Sequence, residues 1–305
     1  ATITVNVSNT YASGTTGNWS NTSTWGGGVV PPSTGDVTIS HDITVDASTN
    51  TLNSITVDVG NTLTVNESQT ITVSNASTIN GSVTVTGTYT AGGASNINGT
   101  VTVSSNGTYT AGGESDVNGI ISVTGNYDAN GTFDGTGGTI TINSGGNVYM
   151  SSTITSLGTL SNSGTIHFDG SSPQTIPGNS SKGTQPLGNV TVDGSNKTLS
   201  NSPAGTTYTM TGLTFGGGSP DLDVNSQVLE FQNGATISGA TNDKHIIDGA
   251  NVTVKYNSSS TKAFKLPIGP DGALRGFEVK PSLNTTTDYT LEYKSGTPVA
   301  LSSSY

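Results

Sequence analysis

"GTYTAGGASNINGTVTVSSNGTYTAGGESDVNG", residues 87–119, writes one short unit twice. GTYTAGG at 87–93 returns letter for letter at 107–113, and INGTVTV at 97–103 echoes INGSVTV at 79–85 and VNGIISV at 117–123. The Asn-Gly step recurs at Asn80, Asn98 and Asn118, spaced 18 and then 20 residues, while Tyr89, Tyr109 and Tyr127 recur at 20 and then 18. Between these marks lie short alternating runs such as Val83-Thr84-Val85 and Val101-Thr102-Val103. Apolar residues at every second position, punctuated by Gly and Asn, describe β-strands and not the 3.6-residue period of a helix. A fixed repeat of this length is the mark of a stacked architecture.

An antiparallel sandwich would place strands of ordinary length between hairpins. A parallel solenoid instead winds one coil per repeat and sets like strand on like strand about 4.8 Å apart. Only the solenoid explains why equivalent positions repeat their chemistry. Asn80, Asn98 and Asn118 then form a structural ladder, each amide bonding to the amide one coil away. Asn and Gly also tolerate the left-handed backbone that a sharp corner demands. The expected fold is therefore all-β, a right-handed parallel β-helix, the hand that parallel crossovers adopt. At roughly 19 residues per coil, residues 36–260 give about a dozen coils and about 55–60 Å of stack. Residues 1–35 are read as an N-terminal strand and cap, and 261–305 as a small C-terminal β module. The exposed end of a solenoid is a sheet edge that needs covering, and Trp19 and Trp25 sit together where such a cover is needed.

Composition supports order without an ordinary enzyme's chemistry. Charged residues make up only 10% and apolar ones 30% of the 305 residues. Disordered chains combine low hydrophobicity with high charge, whereas here Val, Ile and Thr abound and charge is scarce. The chain has no Cys, so disulfides and thiolate metal sites are impossible. It opens at Ala1 with no apolar leader, as a chain relieved of its targeting peptide would. No run of about 18 apolar residues is present, so membrane insertion through a helix is not expected. All nine Lys and Arg lie at or after Lys182. The acidic first part repels nucleic acid and anionic lipid, and it offers no trypsin site, as suits a secreted protein exposed at the cell surface.

The stretch at 18–65 carries Trp19-Ser20, Thr24-Trp25, the run Gly26, Gly27 and Gly28, Pro31-Pro32, GDVTI at 35–39 and LNSITV at 52–57. It resembles the opening of the eight-glycine extracellular β-helix domain of fibrocystin-like and hyaluronan-degrading cell-surface proteins. It is most similar to repetitive surface adhesins of Bacteroidetes-type bacteria. The segment "FKLPIGPDGALRGFEVKP" from 264, with "TTTDYTLEY" at 285–293, resembles a β module that follows such solenoids in those adhesins. The resemblance implies an extracellular location and an adhesive role. It also implies a continuation into a sorting domain, so a chain ending at Tyr305 reads as a fragment or a processed subunit.

Catalytic motifs are missing from this sequence. His41, His167 and His245 are far apart, though Asp42 and Asp169 lie close to the first two. Acid/base cleavage of a polysaccharide needs paired carboxylates and a group to handle developing charge, yet the single arginine, Arg275, lies in the C-terminal module. Asp221, Asp223 and Asn225 alternate with Leu222 and Val224 and could present oxygens to calcium, but Ser226 and Gln232 replace the Gly and Glu of an EF-hand loop. No other cofactor is indicated.

The expected function is that of a non-enzymatic structural or adhesive surface protein. Its expected partners are other copies of itself, in a filament or surface layer, with "ATITVNVS" at 1–8 as a strand able to pair with a neighbour. Tyr89, Tyr109 and Tyr127 are read first as an internal or groove-lining aromatic stack. One alternative is a glycan-binding module using Tyr89, Tyr109, Tyr127, Trp19 and Trp25, or a polysaccharide-degrading β-helix enzyme. A third reading is ice binding through Thr84/Thr86, Thr88/Thr90, Thr100/Thr102 and Thr108/Thr110.

Overall fold

The computed structural model describes residues 9–179, 183–247, 252–258, 264–270, 272–279 and 287–293, with 252–258 and 287–293 as backbone. Residues 1–8, read above as a pairing strand, lie outside the described residues, as does much of 261–305. The chain is a β-solenoid of about 11 turns built almost wholly of parallel strands. Its one described helix is a 3-10 turn at Thr22–Thr24. No helix among the described residues is long and apolar enough to cross a membrane.

One coil shows the construction. Ser77–Ile79, Ser82–Val85 and Thr88–Ala91 lie in a first, a second and a third sheet, and Ser95–Ile97 begins the next coil. Register is in phase, with Val83 on Val101, Tyr89 on Tyr109 and Ile97 on Val117. Alternate residues of each of these strands point inward and are buried, so each contributes one or two apolar side chains to a continuous core. Coils of 18 residues turn the second corner with Thr86-Gly87 or Thr124-Gly125. The 20-residue coil spends its two extra residues there, as Ser104-Ser105-Asn106-Gly107.

The Asn ladder forms as expected: the Asn98 amide donates to Asn80 Oδ1 at 3.0 Å, and Asn118 to Asn98 Oδ1 at 3.4 Å. The corner backbone does not take the expected left-handed form, because none of these asparagines, nor Gly81, Gly99 or Gly119, has a positive φ. Glycine is required there by crowding. A Cβ on Gly99 would lie 1.9 Å from the carbonyl oxygen of Gly81, and one on Gly119 would lie 1.9 Å from that of Gly99.

Stacking starts before residue 36 and continues beyond 260. Thr10–Ala12 already pairs with Asp36–Ile39, and Ile268–Gly269 still pairs with Ile246–Ile247. Trp19 and Trp25 close the first coil edge to face at 4.7 Å, with the Trp25 indole N–H donating to the Trp19 carbonyl at 2.9 Å. After Phe168 the coil changes character. A fourth sheet succeeds the first, and Gln174, Lys197, Leu222, Ile246 and Ile268 stack at spacings of 22–25 residues. Two walls merge here into long bent strands, Thr184–Gly194, Thr207–Gly218 and Val228–Ser238, whose register shifts at Gly188 and Gly212. The third sheet ends on an antiparallel strand, Thr287–Tyr293, laid against Val252–Ser258. That reversal stops the parallel ladder at the C-terminal end.

Lys197 fills an inward position of the fourth sheet and is fully buried. Its ammonium donates to the carbonyls of Ser195 and Gly170, much as Gln174 one coil earlier donates to those of Met150 and Ser152. Desolvation lowers its pKa to about 8, partly offset by Asp169 and Asp193. The folded value lies below the unfolded one near 10.4. The folded state thus sheds its proton first, and the contribution of Lys197 to stability must rise as pH climbs above about 8. The buried tyrosines, whose phenol pKa values are raised in the folded state, oppose that rise as pH nears 10, so pH 8 to 9 isolates the lysine. The free energy of unfolding should increase there by about 1 kcal/mol, and Lys197→Met should abolish the rise. A difference between wild type and Lys197→Met that stays constant from pH 8 to 9 would refute the assignment.

Candidate functional site

Five aromatic residues offered themselves for glycan contact, and the structure buries all five. Tyr89, Tyr109 and Tyr127 stack inside the core with centroids 4.7 and 5.1 Å apart and planes within 7° of parallel. Their hydroxyls donate to Ser77, Ser95 and Ser115 at 2.9, 3.2 and 3.2 Å. Those serines are themselves buried, so each Tyr-Ser pair satisfies a polar pair inside the stack. Burial pushes the phenol pKa values well above their ordinary value. The tyrosine parity follows from Ala91, Ala111 and Ala129, which share the inward face two residues on. Trp19 and Trp25 are likewise spent on closing the first coil. The internal stack expected of the tyrosines and the cap expected of the tryptophans are present, and the alternative glycan-contact reading of these residues is corrected: their faces are consumed by one another and by the core.

The histidines divide differently from their sequence neighbours. His167 does not pair with Asp169. Its Nε2 lies 3.3 Å from Asn147 Oδ1, while Asp169 accepts from the Ser151 hydroxyl at 2.9 Å. His41 contacts the Ser13 carbonyl at 3.0 Å, and Asp42 accepts the Thr62 amide at 2.8 Å. The carboxylate–imidazole contact that does exist joins His245 to Asp221. Nδ1 stands 3.4 Å from Oδ1, and both residues are buried. Asp221 also accepts the His245 backbone amide at 2.9 Å across a separation of 24 residues, and His245 Nε2 lies 3.1 Å from the Pro270 carbonyl. One coil spacing was the signal that could have found it. This pair ties three successive rungs together, with His245 fully buried and the Asp221 side chain 8% exposed.

Asp221 thereby leaves the oxygen set considered for calcium. Asp223 accepts from the Asn225 backbone amide at 2.8 Å, and the Asn225 side chain donates to the Leu199 carbonyl at 3.1 Å. The three side chains thus engage three different partners. Among the described residues, no group of three His, Asp or Glu is placed to hold a metal ion.

On the outer face of the third sheet, Tyr149 and His167 stack at 4.3 Å and 16°, in a row that includes Asp128. Burial raises the Asp128 and Tyr149 pKa values, with help from neighbouring carboxylates, and lowers that of His167 against the pull of Asp193 and Asp169. The rings lie along the ladder, each with one face on the other. This is a side-chain ladder and not an open sugar platform.

Threonine pairs are sorted by register into two separate faces. Thr88/Thr90 and Thr108/Thr110 lie on the third sheet, Thr100/Thr102 on the second, and Thr86 sits at a corner beyond its strand. The longest array, on the second sheet, is one that sequence reading missed. Two columns run Thr62, Ser82, Thr100, Ile120, Thr139, Thr159 and Thr64, Thr84, Thr102, Ser122, Thr141, Ser161. Coil-to-coil spacing is about 4.8 Å and the two columns stand about 6.6 Å apart along each strand.

Two concavities interrupt the rod. One of about 910 Å³ opens where the first and second sheets end, between Thr155, Ser156 and Thr159 on one bank and Thr175, Pro177 and Pro186 on the other. None of its described lining residues is charged, and Ser180, Ser181 and Lys182, which follow its lining residue Asn179, lie outside the described residues. The other, about 400 Å³, lies between Ile237 and Phe277 near the C-terminal end. Comparison of the chain with family models, with characterised proteins and with solved structures finds no match. The fold alone defines the class, a parallel β-solenoid.

Proposed function

We propose that the protein is a non-enzymatic extracellular scaffold, a stiff rod that self-associates or adheres at a cell surface. The observation that carries this reading is where the chemically capable side chains go. The tyrosine rings stack coil on coil, the tryptophans bond to each other within the first coil, and the buried lysine and the His245–Asp221 pair bond from one coil to the next. Electron microscopy of purified protein should give rods or longer polymers, without release of reducing or unsaturated ends from polysaccharides. Release of such ends would overturn the reading.

The threonine–serine array favours a second reading, ice binding. Two columns of threonine and serine hydroxyls, broken once by Ile120, repeat along a regular sheet, as a surface meeting a crystalline solid would. In the same preparation, thermal hysteresis lost in Thr102→Lys would establish that role, and its absence from the wild type would remove it.

A further inference from the structure

Two of the three walls stop at the same level of the rod. The first sheet ends at Ile154–Ser156 and the second at Thr159–Asn162, while the third runs on through Thr165–Phe168 into Thr184–Gly194. Before the break, each rung of the first sheet sends an amide to the next coil. Ser77 donates to Ala94, Ser95 to Glu114, Ser115 to Thr132 and Phe133 to Thr153, at 2.7–2.9 Å. Ile154 is next in that series, and among the described residues no strand of its sheet stands on its outer side. On the second wall the returning strand brings Pro186, which has no N–H to give. It forms no ladder with Thr159–Asn162, although the Asn162 side chain reaches the Leu187 carbonyl at 2.6 Å. The result is a sheet edge beside the cleft of about 910 Å³. An unpaired edge is a template for another strand.

The sequence itself offers a candidate strand. Residues 2–5 read Thr-Ile-Thr-Val, identical to the third-sheet strand Thr70–Val73. Thr10–Ala12 stands seven strand spacings from Ile154–Ser156 in the first sheet, which is about 34 Å. Eight residues reach at most about 29 Å when fully extended, so this segment cannot occupy the cleft of its own molecule. Its nearest alternative, the two-residue strand Thr51–Leu52 at the head of the third sheet, already gives its Thr51 carbonyl to the Thr34 amide at 2.8 Å.

We propose that residues 1–8 of one copy add as a β-strand to the edge at 154–160 of a second copy. This names the interface for the self-association proposed above and rests on it. Donor and acceptor are different surfaces of the same chain, so the contact is heterologous and, unless it closes into a ring, propagates into open polymers.

The absence of cysteine permits a direct test. Thr4→Cys combined with Thr155→Cys should yield a series of disulfide-linked dimers, trimers and longer species, and neither single variant should give that series. A chain lacking residues 1–8 keeps only the acceptor, and Thr155→Lys/Thr159→Lys, with charges placed on an exposed edge, keeps only the donor. Each should sediment as a monomer with an unchanged circular dichroism spectrum, and their mixture should form a 1:1 dimer. A mixture that stays monomeric overturns the proposal. Polymers that survive loss of residues 1–8 overturn this interface while leaving the scaffold reading intact, whereas a wild type that is monomeric at its highest soluble concentration overturns both the interface and self-association.

Discussion

Tyr109→Ala is expected to destabilise the middle of the rod by about 3–5 kcal/mol, and Tyr109→Phe by about 1–2 kcal/mol. Alanine removes the central ring of the stack, breaking contacts at 4.7 Å to Tyr89 and 5.1 Å to Tyr127, and it leaves a cavity between two rigid neighbours. Phenylalanine keeps both ring contacts and loses only the 3.2 Å bond to Ser95, whose buried hydroxyl is then unsatisfied. Long repeat arrays need not unfold in one step. Amide exchange in Ser77–Ile79 through Asn126–Ala129 therefore reads the effect more directly than a single melting temperature. Protection should fall in those coils and hold in Thr207–Gly218. An alanine variant within about 0.5 kcal/mol of wild type would mean an exposed position, and the inward stack would be wrong.

The same residues show how much of the fold was legible. Coil length could be read from Asn80, Asn98 and Asn118, because a solenoid repeats whatever its corners require. The direction of the tyrosines was legible in principle. In TYTA, tyrosine and alanine share one parity and the threonines the other, and Ser77, Ser95 and Ser115 stand two residues before Ile79, Ile97 and Val117 on the inward parity. A serine repeated on an apolar face is a hydrogen-bonding partner awaiting a tyrosine. Beyond Phe168 the period disappears from the sequence, because the rungs lengthen to 11 or 12 residues and bend at Gly188 and Gly212. The cleft had no signal of its own. It arises where Pro186 prevents a ladder, and a missing pairing leaves no repeated letter to read.

Both ends of the stack bear on the proposed self-association. Trp19 and Trp25 close the first coil, and the antiparallel strand Thr287–Tyr293 ends the third sheet. Coaxial addition of a second copy in the same parallel register would have to displace one cover and reverse the other. The break between Ile154–Ser156 and Gln174–Ile176 is the one place along the described rod where two walls of the solenoid stop while the third continues. Association through the flank costs neither cover.

Gly99→Ala should cost roughly 2–4 kcal/mol, unusually much for a surface corner, through overpacking and lost hydrogen bonds. A methyl group at residue 99 would stand 1.9 Å from the Gly81 carbonyl oxygen and 2.6 Å from that of Asn80, both backbone atoms fixed by their own coil. Relief requires the corner to open, and opening it stretches the bonds from the Gly99 amide to Ile79 at 2.8 Å and from the Thr100 amide to Gly81 at 2.9 Å. Gly60→Ala isolates the other way in which glycine can matter. Its φ of 80° is left-handed, yet nothing lies within 4 Å of the added carbon, so only the conformational cost of about 1–2 kcal/mol remains. Gly27→Ala meets neither constraint and should be neutral. Denaturant midpoints of the three variants should therefore rank Gly99→Ala below Gly60→Ala below Gly27→Ala. Equal costs at 99 and 60 would mean that conformation, and not the approach of one coil to the next, selects glycine at the Asn-Gly corners.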